Sequence, residues 1–372
     1  MKINKLILQN FRNYKHLEIS FEKRLNIFCG KNAQGKTSIL EAIYYLSLLT
    51  SYRTNQDIEL INYHEQEFRL YAQYQNTYRE NSLKISKSQL NKKRECSIND
   101  IILSNKDYIG EFKVVAFSPE DLDIIKGEPL NRRRFINIQI SRINKYYYSL
   151  LVNFNAILKQ RNKLLRDIRD GAINKNNICV WDLEYVRVAT EIIRIRAEFF
   201  KEFIPLACDF YDNLSESEQE TLSCEYKTNC NIGYLSKEED QEQFLKVLAN
   251  SLDSDIKRGS TSIGPHKDDF IFFIAGHDVY KFASQGQQRS IVLSLKLAEI
   301  SYIQQKTNEY PVLLLDDVLS ELDELKKEKL LQNIPSVVQV FITVTERRLL
   351  PDSIFNLDSE LSYYQVVNGM VN

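Results

Sequence analysis

The stretch Gly30-Lys31-Asn32-Ala33-Gln34-Gly35-Lys36-Thr37 encloses four residues between two glycines and ends on a Lys-Thr pair. Glycines so placed let the chain curl until successive backbone N–H groups face one centre, the geometry that captures phosphate oxygens. Lys36 supplies one fixed cation for the outer phosphates, and the Thr37 hydroxyl is a hard-oxygen ligand for Mg²⁺. Ser38 follows inside what should be the first turn of a helix, whose dipole favours the same anion. The chemistry implied is capture of a Mg²⁺-bound nucleoside triphosphate by Gly30, Lys31, Asn32, Ala33, Gln34, Gly35, Lys36, Thr37 and Ser38.

A phosphate loop needs a carboxylate at the end of a neighbouring buried strand. Val312-Leu313-Leu314-Leu315-Asp316-Asp317 supplies it: four apolar residues in a row suit a strand covered on both faces. Asp316 then falls at the C-terminal edge, where parallel sheets bind ligands. Asp316 is expected to hold Mg²⁺ through water, and Asp317 to orient or deprotonate the attacking water, which makes Asp317 and Lys36 the catalytic candidates. Capping the next helix is the competing use of these carboxylates, although Ser320 or Asp323 could serve it.

Ser284-Gln285-Gly286-Gln287-Gln288-Arg289-Ser290 reads as a helix start with Ser284 as N-cap and Gly286 in the first turn, a second anion-binding terminus. One nucleotide does not need two such ends from one subunit. It needs both if two subunits face head to tail, each loop being completed by Ser284, Gly286 and Gln287 of the other.

The elements that must position these residues follow from periodicity. Ile3, Leu6, Leu8; Leu17, Ile19, Phe21; and Leu25, Ile27, Cys29 mark half-buried strands, the third ending at Gly30. Ile39, Ile43, Leu46 and Leu49 mark the helix after the loop. Strand-like runs recur at 68–74, 83–85 and 113–117. Residues 131–169 and 178–214 read as long helices joined by the polar stretch 171–177, and so antiparallel neighbours. Strand character returns at 269–275, 312–316 and 337–343, with a helix between 284 and 305.

Composition sets the class. The 372 residues are 43% hydrophobic and 27% charged, with 11 Gly and 7 Pro, which excludes fibrous and low-complexity chains and points to two or three domains. No apolar run approaches the ~20 residues of a bilayer span. The opening Met-Lys-Ile-Asn-Lys lacks the pattern of a secretory signal, and six cysteines contain no Cys-x-x-Cys pair, so reduced buried thiols and a cytoplasmic location are expected. The net charge of −1 hides a division: 33 Lys+Arg against 22 Asp+Glu over residues 1–200, and 16 against 28 over 201–372. The basic half permits a surface for polyanions; merely segregated solvated faces are the other reading.

The same motifs, in order, carry a resemblance. Ser284 to Gln288 resembles the signature of ABC-type ATPases, and Ser320-Glu321-Leu322-Asp323 their D-loop, with Ser320 and Asp323 as its working residues. Leu6 to Tyr14, Glu41-Ala42-Ile43-Tyr44, Ser51-Tyr52-Arg53-Thr54, Phe117 to Leu122, Arg132-Arg133-Arg134-Phe135 and Gly264-Pro265-His266-Lys267-Asp268-Asp269 make the chain similar to the RecF family of bacterial recombination mediators, relatives of the structural-maintenance-of-chromosomes ATPases. The resemblance implies an α/β fold: an ABC-type P-loop ATPase head with a mostly helical lobe inserted between phosphate loop and signature. The corresponding domains are 1–120, 121–258 and 259–372. It implies ATP and Mg²⁺ as cofactors, an ATP-dependent homodimer on single-stranded, gapped or junction DNA, a weak DNA-stimulated ATPase, RecR and RecO as partners, and no membrane. Gln285 replaces the first signature glycine, Asp317 the usual catalytic Glu, and Thr343 and Thr345 stand where a switch His is usual; slow hydrolysis is the consequence. The glutamine that usually links Mg²⁺ to the helical lobe is not identifiable.

Other candidates keep two readings each. Arg53 could reach nucleotide or DNA, or be a solvated surface residue. Arg132, Arg133 and Arg134 could contact DNA phosphates or form ion pairs. Lys159, Arg161, Lys163, Arg166 and Arg169 are either a binding face or solvated charge. His266 sits beside the nucleotide or is a hydrogen-bonded loop residue. Two further function classes are a cytosolic ABC-transporter subunit, disfavoured by the long insertion between Thr37 and Asp316, and a nuclease or kinase, disfavoured by the lack of an added acidic cluster.

Overall fold

The computed structural model describes all residues except 92, 216–219, 231, 233–235 and 356–357. The chain divides into two compact units. The first comprises residues 1–122, 209–216 and 289–372, the second residues 123–208 and 217–288.

The first unit holds two six-stranded sheets. One is antiparallel, in the order Tyr14–Ser20, Lys2–Phe11, Glu67–Gln75, Glu80–Ser88, Glu95–Ile98, Ile101–Ile102. The other runs Met370–Val371, Leu361–Val367, Leu25–Cys29, Val340–Val344, Val312–Asp316, Val114–Phe117 and is parallel apart from its terminal hairpin. Val312–Asp316, with its run of four apolar residues, is buried at every position. Val340–Val344 and Leu25–Cys29, the latter read from its alternation as half-buried, are buried throughout as well, because their polar Thr343 and Asn26 find hydrogen-bond acceptors inside. The helix Lys36–Leu48 packs against strands of both sheets, and all its residues but Thr37 are buried, which explains an apolar surface on all sides. Among the described residues no helix is long and apolar enough to cross a membrane.

The second unit is built on Pro129–Ile143, Lys145–Arg169, most of Cys179–Leu214, and Lys237–Arg258, with a three-stranded antiparallel sheet of Leu222–Lys227, Asp269–Ile274 and His277–Asp278. Lys145–Arg169 and Cys179–Leu214 run antiparallel, since Tyr147 meets Arg196, Phe154 meets Tyr185 and Arg161 meets Asp182.

Three expectations change. The helix over 131–169 is two helices: Asn144 leaves the helical region (φ −131°, ψ 96°) and its side chain accepts from the Tyr147 N–H, capping the second. The boundary at 258 moves to 288, because the strand Asp269–Ile274 pairs with Leu222–Lys227 and so belongs to the second unit. The helix Lys237–Arg258 went unread, although Ser236 and Glu239 form its capping box.

Candidate functional site

The strand Leu25–Cys29 delivers the chain to Gly30, and the loop then passes through Ala33 (φ 64°) and Gly35 (φ 114°) into the helix at Lys36. A Cβ at Gly35 would lie 2.5 Å from Asn13 Nδ2 and 2.7 Å from the Tyr14 hydroxyl, so neither space nor backbone angle admits another residue. No side chain caps this helix, which leaves its N-terminus open to an anion. Lys36 is only 6% exposed, and its ammonium donates to the carbonyls of Gly30 (2.5 Å) and Lys31 (2.9 Å), across the loop's own curl. Burial lowers its pKa against the opposing pull of Asp317, Cys29 and Asp316.

Asp316, 5% exposed, ends its strand where expected. Its Oδ1 accepts from the hydroxyls of Thr37 (2.9 Å) and Thr343 (2.8 Å), and its Oδ2 from the Tyr52 hydroxyl (2.9 Å). Burial pushes the Asp316 carboxyl up while these three donors pull it down. Thr343 also accepts from the Asp317 N–H at 2.9 Å, so it ties both carboxylate residues to the strand Val340–Val344. Asp317 adopts a left-handed backbone (φ 55°) and has a buried Oδ1 with no partner. Such a backbone and such an unpaired acceptor are uncommon together and recur at functional sites. Asp323, not Asp316 or Asp317, caps the next helix by accepting from the Lys326 N–H; the Ser320 hydroxyl donates to the Asp317 carbonyl.

Asn32 to Ser38 share a cleft of about 560 Å³ with Arg12, Asn13, Arg53, Tyr63, Asp317 and Thr343, a size suited to a nucleotide. Hard oxygens of Thr37 and Asp316 only 2.9 Å apart, one buried ammonium and the unpaired Asp317 acceptor fit a Mg²⁺-bound triphosphate. Sequence reasoning missed the support behind this cleft. Glu41, fully buried, accepts two hydrogen bonds from Arg12 (2.6 and 2.8 Å), one from the Ser51 hydroxyl, and lies 3.5 Å from Arg53. The signal was present, since a carboxylate amid Ile39, Leu40, Ala42 and Ile43 must find cationic partners. Tyr52 carried no such signal.

In the second unit, Ser284 caps its helix as expected: its hydroxyl accepts from the Gln287 N–H (3.2 Å), and the Gln287 side chain accepts from the Ser284 N–H (2.8 Å). Gln287 also donates to Glu220, which commits its side chain to the cap. Ser284 itself is exposed and Gly286 lies in the first turn.

Two of the clustered arginines are engaged within the unit. Arg132 donates to both oxygens of Asp269 (2.7 and 2.9 Å) and Arg133 to the Asp268 carbonyl (2.9 Å), while Arg134 is half-buried. Arg161, fully buried, binds Asp182, Asp255 and Thr261, which removes it from the candidate binding face. His266 is the hydrogen-bonded loop residue: its Nε2 lies 3.0 Å from the Thr261 carbonyl, and burial lowers its pKa to about 4.

Fold and site define a phosphate-loop ATPase head, and the comparisons place its class. Residues 2–370 match the RecF/RecN/SMC N terminal domain. The chain is 40% identical to the DNA replication and repair protein RecF of Streptococcus thermophilus, over 100% of this chain and 98% of that one, and equally to RecF of Streptococcus suis, over 100% and 99%. The solved structure of a recombination mediator protein, RecF with ATP in the RecFOR pathway, superposes with a TM-score of 0.90 at 31% identity, over 100% of this chain and 97% of that one. An SMC head bound to the C-winged helix domain of ScpA, at 15% identity and a TM-score of 0.55, shares the fold over 100% and 96% of the two chains. The chain belongs to the RecF family, whose work is DNA replication and repair.

Proposed function

We propose that this chain is an ATP-switched DNA-binding protein of recombinational repair, in which two copies close head to tail around two ATP molecules and slow hydrolysis resets them. The observation that carries this reading is that Lys36, Thr37 and Asp317 line one cleft, with Asp316 held 2.9 Å from the Thr37 hydroxyl, together with a family member solved with ATP. Lys36 exchanges its two carbonyl partners for phosphate oxygens. Mg²⁺, when bound, neutralises phosphate charge, and Thr37 and Asp316 are the residues that would hold it. Asp317 accepts a hydrogen bond from the attacking water and takes its proton. Thr343 holds the Asp316 carboxylate and the Asp317 backbone in register, and no histidine stands at its position, in keeping with slow turnover. The exposed Ser284, with Gly286 in the first turn behind it, would offer a second copy's phosphates a helix N-terminus.

DNA is the polyanionic partner that the +11 balance of residues 1–200 suits, with gapped or junction DNA as the form and RecR and RecO as companions by family. The reading is tested by ATP turnover of the purified chain. The expected rate lies well below the ~1–10³ s⁻¹ of ordinary enzymes, rises on adding gapped DNA, and vanishes in Lys36→Ala. Rapid turnover indifferent to DNA would sink it.

A further inference from the structure

The phosphate loop is held from outside by the hairpin of Leu361–Val367 and Met370–Val371. The strand Leu361–Val367 runs parallel to Leu25–Cys29, with Gln365 opposite Cys29, and so follows the loop's entry strand to its end. The Val366 carbonyl lies 2.3 Å from where a Cβ on Gly30 would stand, which is why the first position of the loop must be glycine. Beyond it, Asn368 (φ 48°) and Gly369 (φ 73°) form a tight turn of two left-handed residues. Both of their N–H groups reach Gln34: that of Asn368 donates to Oε1 (2.5 Å), that of Gly369 to the backbone carbonyl (3.1 Å). The Asn13 side chain donates to the same carbonyl at 3.3 Å. Gln365 and Asn372 close the hairpin with reciprocal backbone hydrogen bonds of 2.9 and 3.0 Å.

We propose that this hairpin is a positioning element of the nucleotide site, and that Asn368 and Gly369 act on phosphate binding through Gln34. The proposal rests on the nucleotide reading given above. A peptide unit is planar and trans, so its C=O and N–H point in opposite directions. Two donors holding the Gln34 carbonyl toward the hairpin and Asn13 therefore turn the Gly35 N–H the other way. The second residue of this peptide is Gly35 (φ 114°), where the lack of a side chain would otherwise leave the unit freer to rotate. The hairpin removes that freedom before ligand arrives, which is preorganisation of the anion site.

The test uses the full chain, a chain ending at Val367, Gly369→Val, whose branched side chain does not tolerate the turn, and Gln34→Leu, which keeps the backbone carbonyl and deletes Oε1. Affinity for ATP is read by equilibrium dialysis. Each change is expected to weaken ATP binding by about fivefold or more, the worth of one or two hydrogen bonds. Gln34→Leu combined with the truncation should be no weaker than the truncation alone, because the truncation already removes the Asn368 contact to Oε1 that Gln34→Leu deletes. For the two hairpin variants, KM for ATP should rise while kcat at saturation changes by less than about threefold, a split that general loosening of the fold would not give. If the truncated chain does not fold, Gly369→Val alone and with Gln34→Leu gives the same comparison. Unchanged affinity in the hairpin variants, or fully additive losses with Gln34→Leu, overturns the proposal. Lys36→Ala is the control: if it too leaves ATP affinity unchanged, the nucleotide reading fails instead.

Discussion

Arg132 and Asp269 face each other through two parallel hydrogen bonds, Nε to Oδ1 at 2.7 Å and the terminal nitrogen to Oδ2 at 2.9 Å, with the arginine side chain only 12% exposed. Two of the blocks that carry the family resemblance, Arg132 to Phe135 and Gly264 to Asp269, are thus halves of one contact. Arg132→Ala leaves a mostly buried carboxylate with its remaining bond to the Phe270 N–H, and should cost about 2–3 kcal/mol in urea unfolding. Its DNA-binding salt slope should stay that of the wild type. A slope reduced by about one, with unchanged stability, would return Arg132 to the DNA surface.

Lys36→Ala should abolish measurable ATP binding, because the loop loses its one buried cation. Lys36→Arg should recover only part of it, since a planar guanidinium cannot take the place of an ammonium seated between the carbonyls of Gly30 and Lys31. Equilibrium dialysis decides, and wild-type affinity in Lys36→Ala would contradict the assignment.

Asp317→Asn and Asp316→Asn should differ in kind. The first keeps the loop and Thr343 intact, so ATP stays bound while hydrolysis falls by about 10²-fold or more. The second replaces an acceptor of three hydroxyl donors by an amide that must turn its own N–H groups on one of them. It should therefore weaken Mg²⁺-dependent ATP binding itself. Normal hydrolysis in both would mean that the strand Val312–Asp316 does not serve the site.

His266 gives stability a pH dependence of definite sign. Its folded pKa, about 4, lies below the ordinary value near 6.5 because the ring is buried. Between those values the unfolded chain binds the proton and the folded chain does not, so stability falls as pH drops through that window, by roughly 3 kcal/mol at most. His266→Gln should flatten this part of the profile in urea unfolding measured from pH 7 to pH 4. An unchanged profile would assign the acid sensitivity to other groups.

Where the chemistry is local, the sequence is legible. The phosphate loop, the strand ending at Asp316 and the cap at Ser284 each depend on a few consecutive residues, and each stands where periodicity placed it. What was not legible depends on pairing across the chain. Nothing local to residues 269–275 tells whether that strand joins one of the six-stranded sheets or the strand Leu222–Lys227. Arg132 could be read as free or paired until Asp269 was found 137 positions away. Tyr52 and Thr343 meet Asp316 only because separate elements converge on it. The helix Lys237–Arg258 is the exception, since its capping box and the Gly259 C-cap were local signals that went unread.

The central claim is that ATP held by one copy is completed by Ser284 and Gly286 of another, and sedimentation velocity with and without ATP tests it most directly. Asp317→Asn is the useful background, because trapped ATP should hold the pair together. The predicted result is a monomer without nucleotide, a two-fold dimer with two nucleotides when ATP is present, and a monomer that still binds ATP when Ser284→Arg places bulk at the exposed cap. Wild-type chain that stays monomeric with ATP bound, at concentrations where it hydrolyses ATP, would contradict the account.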